Sequence, residues 1–161
     1  MTKILKTIYL GLGSNIGDKQ ANCSEAIQRI ESINGIKLLR KSSFYITKPV
    51  GGPKQDDYLN GVLEIQINDE DINFQLLEKF KEIERCMGRS DGERNSPRII
   101  DIDILLADDL VINEEDMQIP HPRMHERYFV LKGLKELAPG AVHPIFKKTI
   151  QELYADTKNC Q

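Results

Sequence analysis

Nine residues, Arg98-Ile99-Ile100-Asp101-Ile102-Asp103-Ile104-Leu105-Leu106, constrain the fold more than any other stretch of the chain. Apolar residues alternate with aspartate at a period of two, which suits a β-strand and no helical stripe. Such a strand buries Ile100, Ile102, Ile104 and Leu106 in a core and turns Asp101 and Asp103 to the opposite face. Their backbone positions are then about 6.6 Å apart. Strands are poor in aspartate, and two like charges side by side repel. The polar face must therefore meet solvent or a cation.

The elements around this strand fall into an order. Ile8-Tyr9-Leu10 is a short strand that stops at a turn, Gly11-Leu12-Gly13-Ser14-Asn15. Asp18 can cap a helix with Cys23, Ile27, Ile30 and Ile33 on one stripe, closing at Asn34-Gly35. Residues 36–47 are β-branched and aromatic enough for a second strand, and 48–57 form a Pro/Gly loop. Tyr58 to Ile67 is a third strand with Leu59, Leu63, Ile65 and Ile67 on one face and Tyr58, Asn60, Glu64 and Gln66 on the other. A second helix starts near Asp69–Asp71, carries Leu76, Phe80, Ile83 and Met87, and stops at Gly88. A second polar loop leads into the Asp-x-Asp strand.

This β-α-β-β-α-β order predicts an α+β sandwich of the ferredoxin-like type, with both helices on one face of an antiparallel sheet and the other face available for a ligand. Two added C-terminal helices are expected over about 126–137 and 148–154, after a loop through Ile119-Pro120-His121-Pro122. At 161 residues the chain reads as a single domain, 1–161. Its 22 basic and 25 acidic residues leave a net charge of −3, which opposes nucleic acid held by bulk charge. No apolar run approaches the ~18 residues that span a bilayer, and the start lacks a leader's apolar segment. Cys23, Cys86 and Cys160 share no metal-ligand spacing and read as reduced cytoplasmic thiols.

A hard divalent cation would offset the Asp101/Asp103 repulsion, and Mg²⁺ in particular takes one or two protein carboxylates and completes its shell with water and phosphate. Arg89, Arg94 and Arg98 lie in or beside the preceding loop, as a metal–polyphosphate complex would require, although Asp91 and Glu93 could simply pair with them. The glycine turn fails the dinucleotide pattern, because Ile16 stands where its third glycine belongs. Tyr58 and Asn60 share a face and suit a flat heterocycle, or merely an exposed sheet surface. His121 and His125 are four apart, but Pro120 and Pro122 break the helical register that a zinc pair needs. No nucleophile elbow or Cys–His arrangement is present.

Taken together and in order, several stretches resemble the 6-hydroxymethyl-7,8-dihydropterin pyrophosphokinase family. They are Leu12-Gly13-Ser14-Asn15, Ser43 to Thr47 with Pro49 and Gly51, Asp57 to Asn60, Ile83-Glu84 with Gly88-Arg89, Pro97 to Leu105, Ile119 to Pro122, and Arg127 with Phe129-Val130-Leu131. The resemblance implies transfer of the β,γ-diphosphoryl unit of ATP to the pterin hydroxymethyl group, with release of AMP. It implies that Asp101 and Asp103 hold two Mg²⁺ ions, and that Arg89 and Arg98 act in catalysis. Glu84, Arg89, Arg98, Ile104, His121 and Arg127 would bind ATP, while Thr47, Val50, Tyr58, Asn60 and Phe129 would line the pterin pocket. Arg94-Asn95-Ser96-Pro97-Arg98 stands where the family often carries Arg-Trp-Gly-Pro-Arg. A cytoplasmic monomer with no nucleic-acid or membrane partner is expected. The rivals are a non-catalytic pterin- or nucleotide-binding module and a ferredoxin-like RNA-binding domain stacking bases on Tyr45 and Tyr58.

Overall fold

The computed structural model describes residues 4–48, 54–88 and 98–159. Val50, Arg89, Arg94 and Cys160, with most of the two polar loops, lie outside the described residues. The elements follow the order β1 (Leu5–Ser14), α1 (Lys19–Glu31), β2 (Lys37–Lys41), β3 (Tyr45–Thr47), β4 (Tyr58–Asn68), α2 (Phe74–Cys86) and β5 (Asp101–Ala107). A small hairpin, β6 (Ile112–Asn113) and β7 (Gln118–Ile119), then precedes α3 (Tyr128–Leu137) and α4 (Ile150–Asn159). The sheet runs β2–β4–β1–β5, every pair antiparallel, with β3 also on β4. This is the expected ferredoxin-like α+β sandwich.

Asp18 caps α1 as its sequence position predicts, accepting from the Ala21 N–H at 3.1 Å, and Asn73 does the same for α2 through Leu76. Ala26, Ile30, Leu76 and Phe80 from these helices pack with Ile8, Leu10, Ile65 and Ile102 into the main core. The second helix begins later than expected, because residues 69–71 form a 3-10 turn ahead of the Asn73 cap. Residues 124–126 likewise form a 3-10 turn ahead of α3, and α4 extends past residue 154 to Asn159.

Three expectations are corrected. The first strand does not stop at Gly11. As the central strand, β1 is paired on both sides, and those two ladders carry it through both glycines to Ser14. The strand expected over 36–47 is two strands, because Ser42 leaves the ladder. Its hydroxyl replaces a main-chain partner, accepting from the Val62 N–H at 2.8 Å, and the Phe44 ring occupies the space above Gly61. Leu106 does not join the main core. The β1–β5 register jumps from Tyr9↔Leu106 to Leu10↔Ile104, so Leu105 is an extra residue and the alternation reverses there.

The bulge also explains why the second sheet face is only half open. Leu105 and Leu106 both point to that face, where they join Tyr9 and Val62 under Val130, Leu131, Leu134 and Leu137 of α3. Glu64 lies in this layer, 7% exposed. It accepts from the Tyr9 hydroxyl at 2.8 Å and from two guanidinium nitrogens of Arg40 at 3.0 and 2.9 Å. Arg40 also donates to the last carbonyl of α3, Leu137 O, at 2.6 Å. The Arg40 guanidinium holds the Glu64 carboxyl below its ordinary range, with burial opposing. A depressed carboxyl pKa adds stability that is present above the ordinary glutamate range and is lost as pH falls through it. Glu64→Gln should therefore cost about 1–3 kcal/mol at neutral pH. The gap from wild type should close in acid, as measured by urea unfolding at two pH values.

Candidate active site

The open half of the second face is a floor built on missing side chains. In the β-ladders Gly13 stands opposite both Asn60 and Asp101, and Gly11 stands opposite both Val62 and Asp103. Directly opposed residues in antiparallel strands share a face. Two rows, Asn60–Gly13–Asp101 and Val62–Gly11–Asp103, therefore cross the sheet with bare backbone at their centres. With strands about 4.8 Å apart, the outer members of each row stand about 10 Å from each other. A Cβ on Gly13 would come within 2.6 Å of Asn60 Oδ1. Any residue other than glycine there closes the floor.

Above it lies a cavity of about 500 Å³, whose polar wall includes Thr47, Tyr58 and Asn60. The Asn60 amide donates to the Thr47 hydroxyl. Arg123, Arg127 and Phe129, from the 3-10 turn and the start of α3, line the same cavity, as do Asp101 and Asp103. A second cavity of about 240 Å³ lies beyond, lined by Leu77, Ile102, Ile104, Gln118 and His121 among others. Asp103 lines both. The two cavities thus share a wall that carries a carboxylate.

Buried contacts hold this wall. Glu84, 4% exposed, accepts from the Ile102 N–H at 2.8 Å, pinning the free edge of β5 between the two aspartates. It lines neither cavity, so it reaches the site through the backbone. The extra residue of the bulge offers its carbonyl to the Pro-His-Pro loop, with His121 N–H donating to Leu105 O at 2.8 Å. That bond brings His121 beside the paired aspartates. Its Nδ1 accepts from the Arg123 N–H at 3.1 Å, so in the neutral ring the proton sits on Nε2. Burial first, then the nearby Arg127 charge, lowers the His121 pKa to about 4.

Sequence reasoning singled out Asn15 only as part of a motif. It is 2% exposed and uses its whole amide. Its Oδ1 accepts from Arg98 N–H at 2.8 Å, and Nδ2 donates to Gln55 Oε1 at 2.5 Å and Asp56 O at 3.2 Å. Its own N–H donates to Arg98 O at 3.0 Å. Arg98 is thereby fixed by its main chain just ahead of β5, and the segment entering Tyr58 is tied to the same side chain. Gly11, Gly13 and Arg123 also escaped sequence reasoning as site residues, although the Gly-x-Gly spacing matches the Asp-x-Asp spacing across the ladder. Val50 and Arg89 lie outside the described residues.

Among the described residues no cluster of three or more His, Cys, Asp or Glu gathers as a self-sufficient metal site. Two carboxylates on one open face instead suit a hard cation that takes its remaining oxygens from water and phosphate. The donor chemistry fits Mg²⁺, and the bare glycine floor leaves room for its other ligands.

Comparison with known proteins agrees with this chemistry. A family model described as 7,8-dihydro-6-hydroxymethylpterin-pyrophosphokinase (HPPK) matches residues 9–139. A 2-amino-4-hydroxy-6-hydroxymethyldihydropteridine pyrophosphokinase of Aquifex aeolicus is 36% identical over 92% of this chain and 90% of its own length. One from Bacillus subtilis is 40% identical over 80% of this chain and 76% of its own. The folic acid synthesis protein fol1 of Schizosaccharomyces pombe is 41% identical, but the chain spans only 20% of it. The solved Plasmodium falciparum HPPK-DHPS with pterin and p-hydroxybenzoate aligns with a TM-score of 0.73 at 17% identity. That match covers 96% of this chain and 43% of the solved one, and it bears on fold alone.

The His121 environment makes a spectroscopic prediction. Imidazole ¹⁵N shifts of the ligand-free protein should show the Nε2–H tautomer, with a titration midpoint well below that of an ordinary histidine. A midpoint near 6.5 would contradict the burial and charge argument.

Proposed function

The chain belongs to the 7,8-dihydro-6-hydroxymethylpterin-pyrophosphokinase family, and from that premise we propose that it transfers the β,γ-diphosphoryl unit of ATP to 6-hydroxymethyl-7,8-dihydropterin and releases AMP. The observation that carries this reading is the shared wall. Two cavities meet at Asp103, one over the glycine floor and lined by aromatic rings and amides, the other lined mainly by apolar side chains with Glu115, Asp116, Gln118 and His121. A flat heterocycle fits the first and a nucleotide the second, with the polyphosphate crossing the aspartates between them.

In this reading the pterin lies between the Thr47–Asn60 pair and Phe129, with Tyr58 beside it and Val50 as a further contact. Asn60 and Thr47 hydrogen-bond the heterocycle edge and Phe129 stacks on its face. Ile104 packs against the nucleotide, while Glu84 holds the strand beneath it. Asp101 and Asp103 would hold two Mg²⁺ ions, which when bound would supply positive charge to the phosphate oxygens. Arg127, Arg98 and Arg89 supply guanidinium donors to the oxygens that remain. Neutral His121 donates its Nε2–H to a phosphate oxygen without adding a charge.

No protein nucleophile is required. The pterin hydroxyl oxygen bonds to the β-phosphorus and gives up its proton to water, while the bond from that phosphorus to the oxygen bridging the α-phosphate breaks and the oxygen departs on AMP. The protein's task is alignment of two substrates on one rigid floor, the kind of positioning that lowers barriers by several kcal/mol. The free thiols of Cys23 and Cys86, the former buried with its pKa raised to about 11, support a reducing, cytoplasmic setting. No helix among the described residues is long and apolar enough to cross a membrane.

The test is nucleotide analysis after incubation with ATP, Mg²⁺ and the pterin. AMP that forms only when pterin is present is expected; ADP, or no turnover, would contradict the reading. Asp103→Ala should lower kcat by about a hundredfold or more while the melting temperature stays within a few degrees, since Asp103 lies outside both apolar clusters.

A further inference from the structure

The wall of the larger cavity formed by α3 is seated by a second device, away from the cavity. Phe129, Gly133 and Glu136 are spaced four and three apart, so they lie along one face of α3. Gly133 sets how closely that face approaches the sheet, since a Cβ there would come within 2.6 Å of Val62 and 3.3 Å of the Ser42 hydroxyl. One turn further on, the exposed Glu136 carboxylate receives four hydrogen bonds from Ser43, just ahead of β3, and from Tyr45, its first residue. Ser43 N–H donates to both oxygens at 3.0 Å, Ser43 Oγ donates at 2.8 Å, and the Tyr45 hydroxyl donates at 2.6 Å. The Lys132 ammonium lies 4.3 Å from the centre of the Tyr45 ring, on the same helix–strand seam. The Tyr45 hydroxyl, the largest influence, holds the Glu136 carboxyl below its ordinary range, so it is ionised at neutral pH.

This seam joins two elements that both line the cavity, β3 through Thr47 and α3 through Phe129. Thr47 lies two residues beyond Tyr45 on β3, and Tyr45 itself stands opposite Asn60 in the β3–β4 ladder. Phe129 lies two turns back on α3. β3 is three residues long and pairs with β4 alone in the sheet, so the contacts to α3 add a second anchor. We propose that Glu136 is a positioning residue for the pterin pocket: by gripping Ser43 and Tyr45 it fixes β3 against α3 and so sets the gap between the Thr47–Asn60 pair and the Phe129 ring. Glu136 lines neither cavity, so it acts only through these neighbours. The proposal rests on the pyrophosphokinase reading above.

The test compares wild type with Glu136→Ala, Glu136→Gln and Tyr45→Phe. Calorimetric titration with Mg²⁺ and a non-hydrolysable ATP analogue, and then with 6-hydroxymethylpterin on the nucleotide-loaded protein, gives both affinities. Glu136→Ala should weaken pterin binding about tenfold or more, because misplacing a pocket wall by an ångström is costly, and leave nucleotide affinity within about twofold. Glu136→Gln, whose amide oxygen still accepts from Ser43, should recover most of the loss. Tyr45→Phe removes one hydroxyl, leaves the Ser43 contacts, and should weaken pterin alone by about two- to threefold. Unchanged pterin affinity in Glu136→Ala and Tyr45→Phe, or equal weakening of both ligands, would overturn the proposal. Wild-type protein that bound no pterin would instead overturn the functional reading and this role with it.

Discussion

The absence of side chains at residues 11 and 13 is the constraint on which the rest of the site depends. A central strand ordinarily projects a residue into each face at every second position. Here the projections are removed on one face for two successive positions, between Asn60 and Val62 on one side and Asp101 and Asp103 on the other. The backbone of β1 is still fully paired, so the floor is both bare and rigid. A flat ligand and a charged one can then share it without a side chain between them. The cost is packing that glycine cannot supply, and the main core on the far face, with Ile8, Leu10 and Leu12 from the same strand, offsets it.

A second irregularity divides the face between chemistry and stability. Without the extra residue at Leu105, the face bearing Asp101 and Asp103 would continue with alternating residues to the end of β5. With it, two leucines in succession turn toward α3, and a compact apolar layer begins where the carboxylates end. The same residue's carbonyl is released from the ladder and takes the His121 N–H. One inserted residue thus seats the helix that bears Phe129 and brings the imidazole to the aspartates. The Arg40–Glu64–Tyr9 network closes the layer at the far end, with Arg40 tied to the last turn of α3.

Much of this was legible in the sequence, and the failures have physical causes. The Asp-x-Asp strand could be read because isoleucines flank both carboxylates, and the two capped helices because Asp18 and the Leu76–Phe80–Ile83 stripe are ordinary signals. The bulge left no trace, since Leu105 and Leu106 are apolar whichever way they point. Gly11 and Gly13 looked like a turn because glycine is the common turn residue, and only the pairing of β1 with β4 and β5 reveals them as strand. The break at Ser42 depends on a hydroxyl standing in for a main-chain group, which hydrophobic periodicity cannot register. Tyr58, Asn60 and the aspartates could be placed on one face from local pattern. His121, Arg127 and Phe129 entered through the family resemblance alone, because only tertiary structure brings them over the floor.

The proposed arrangement places the pterin over the Gly11–Gly13 floor and the metal-bound nucleotide beyond it, with the Asp101/Asp103 wall between them. A crystal of the ternary complex grown with Mn²⁺ in place of Mg²⁺, a non-hydrolysable ATP analogue and 6-hydroxymethylpterin tests it most directly. The account predicts anomalous Mn²⁺ density against the Asp101 and Asp103 carboxylates, with the pterin ring between Asn60 and Phe129. Metal density away from both aspartates, or a pterin seated elsewhere on the sheet, would contradict it.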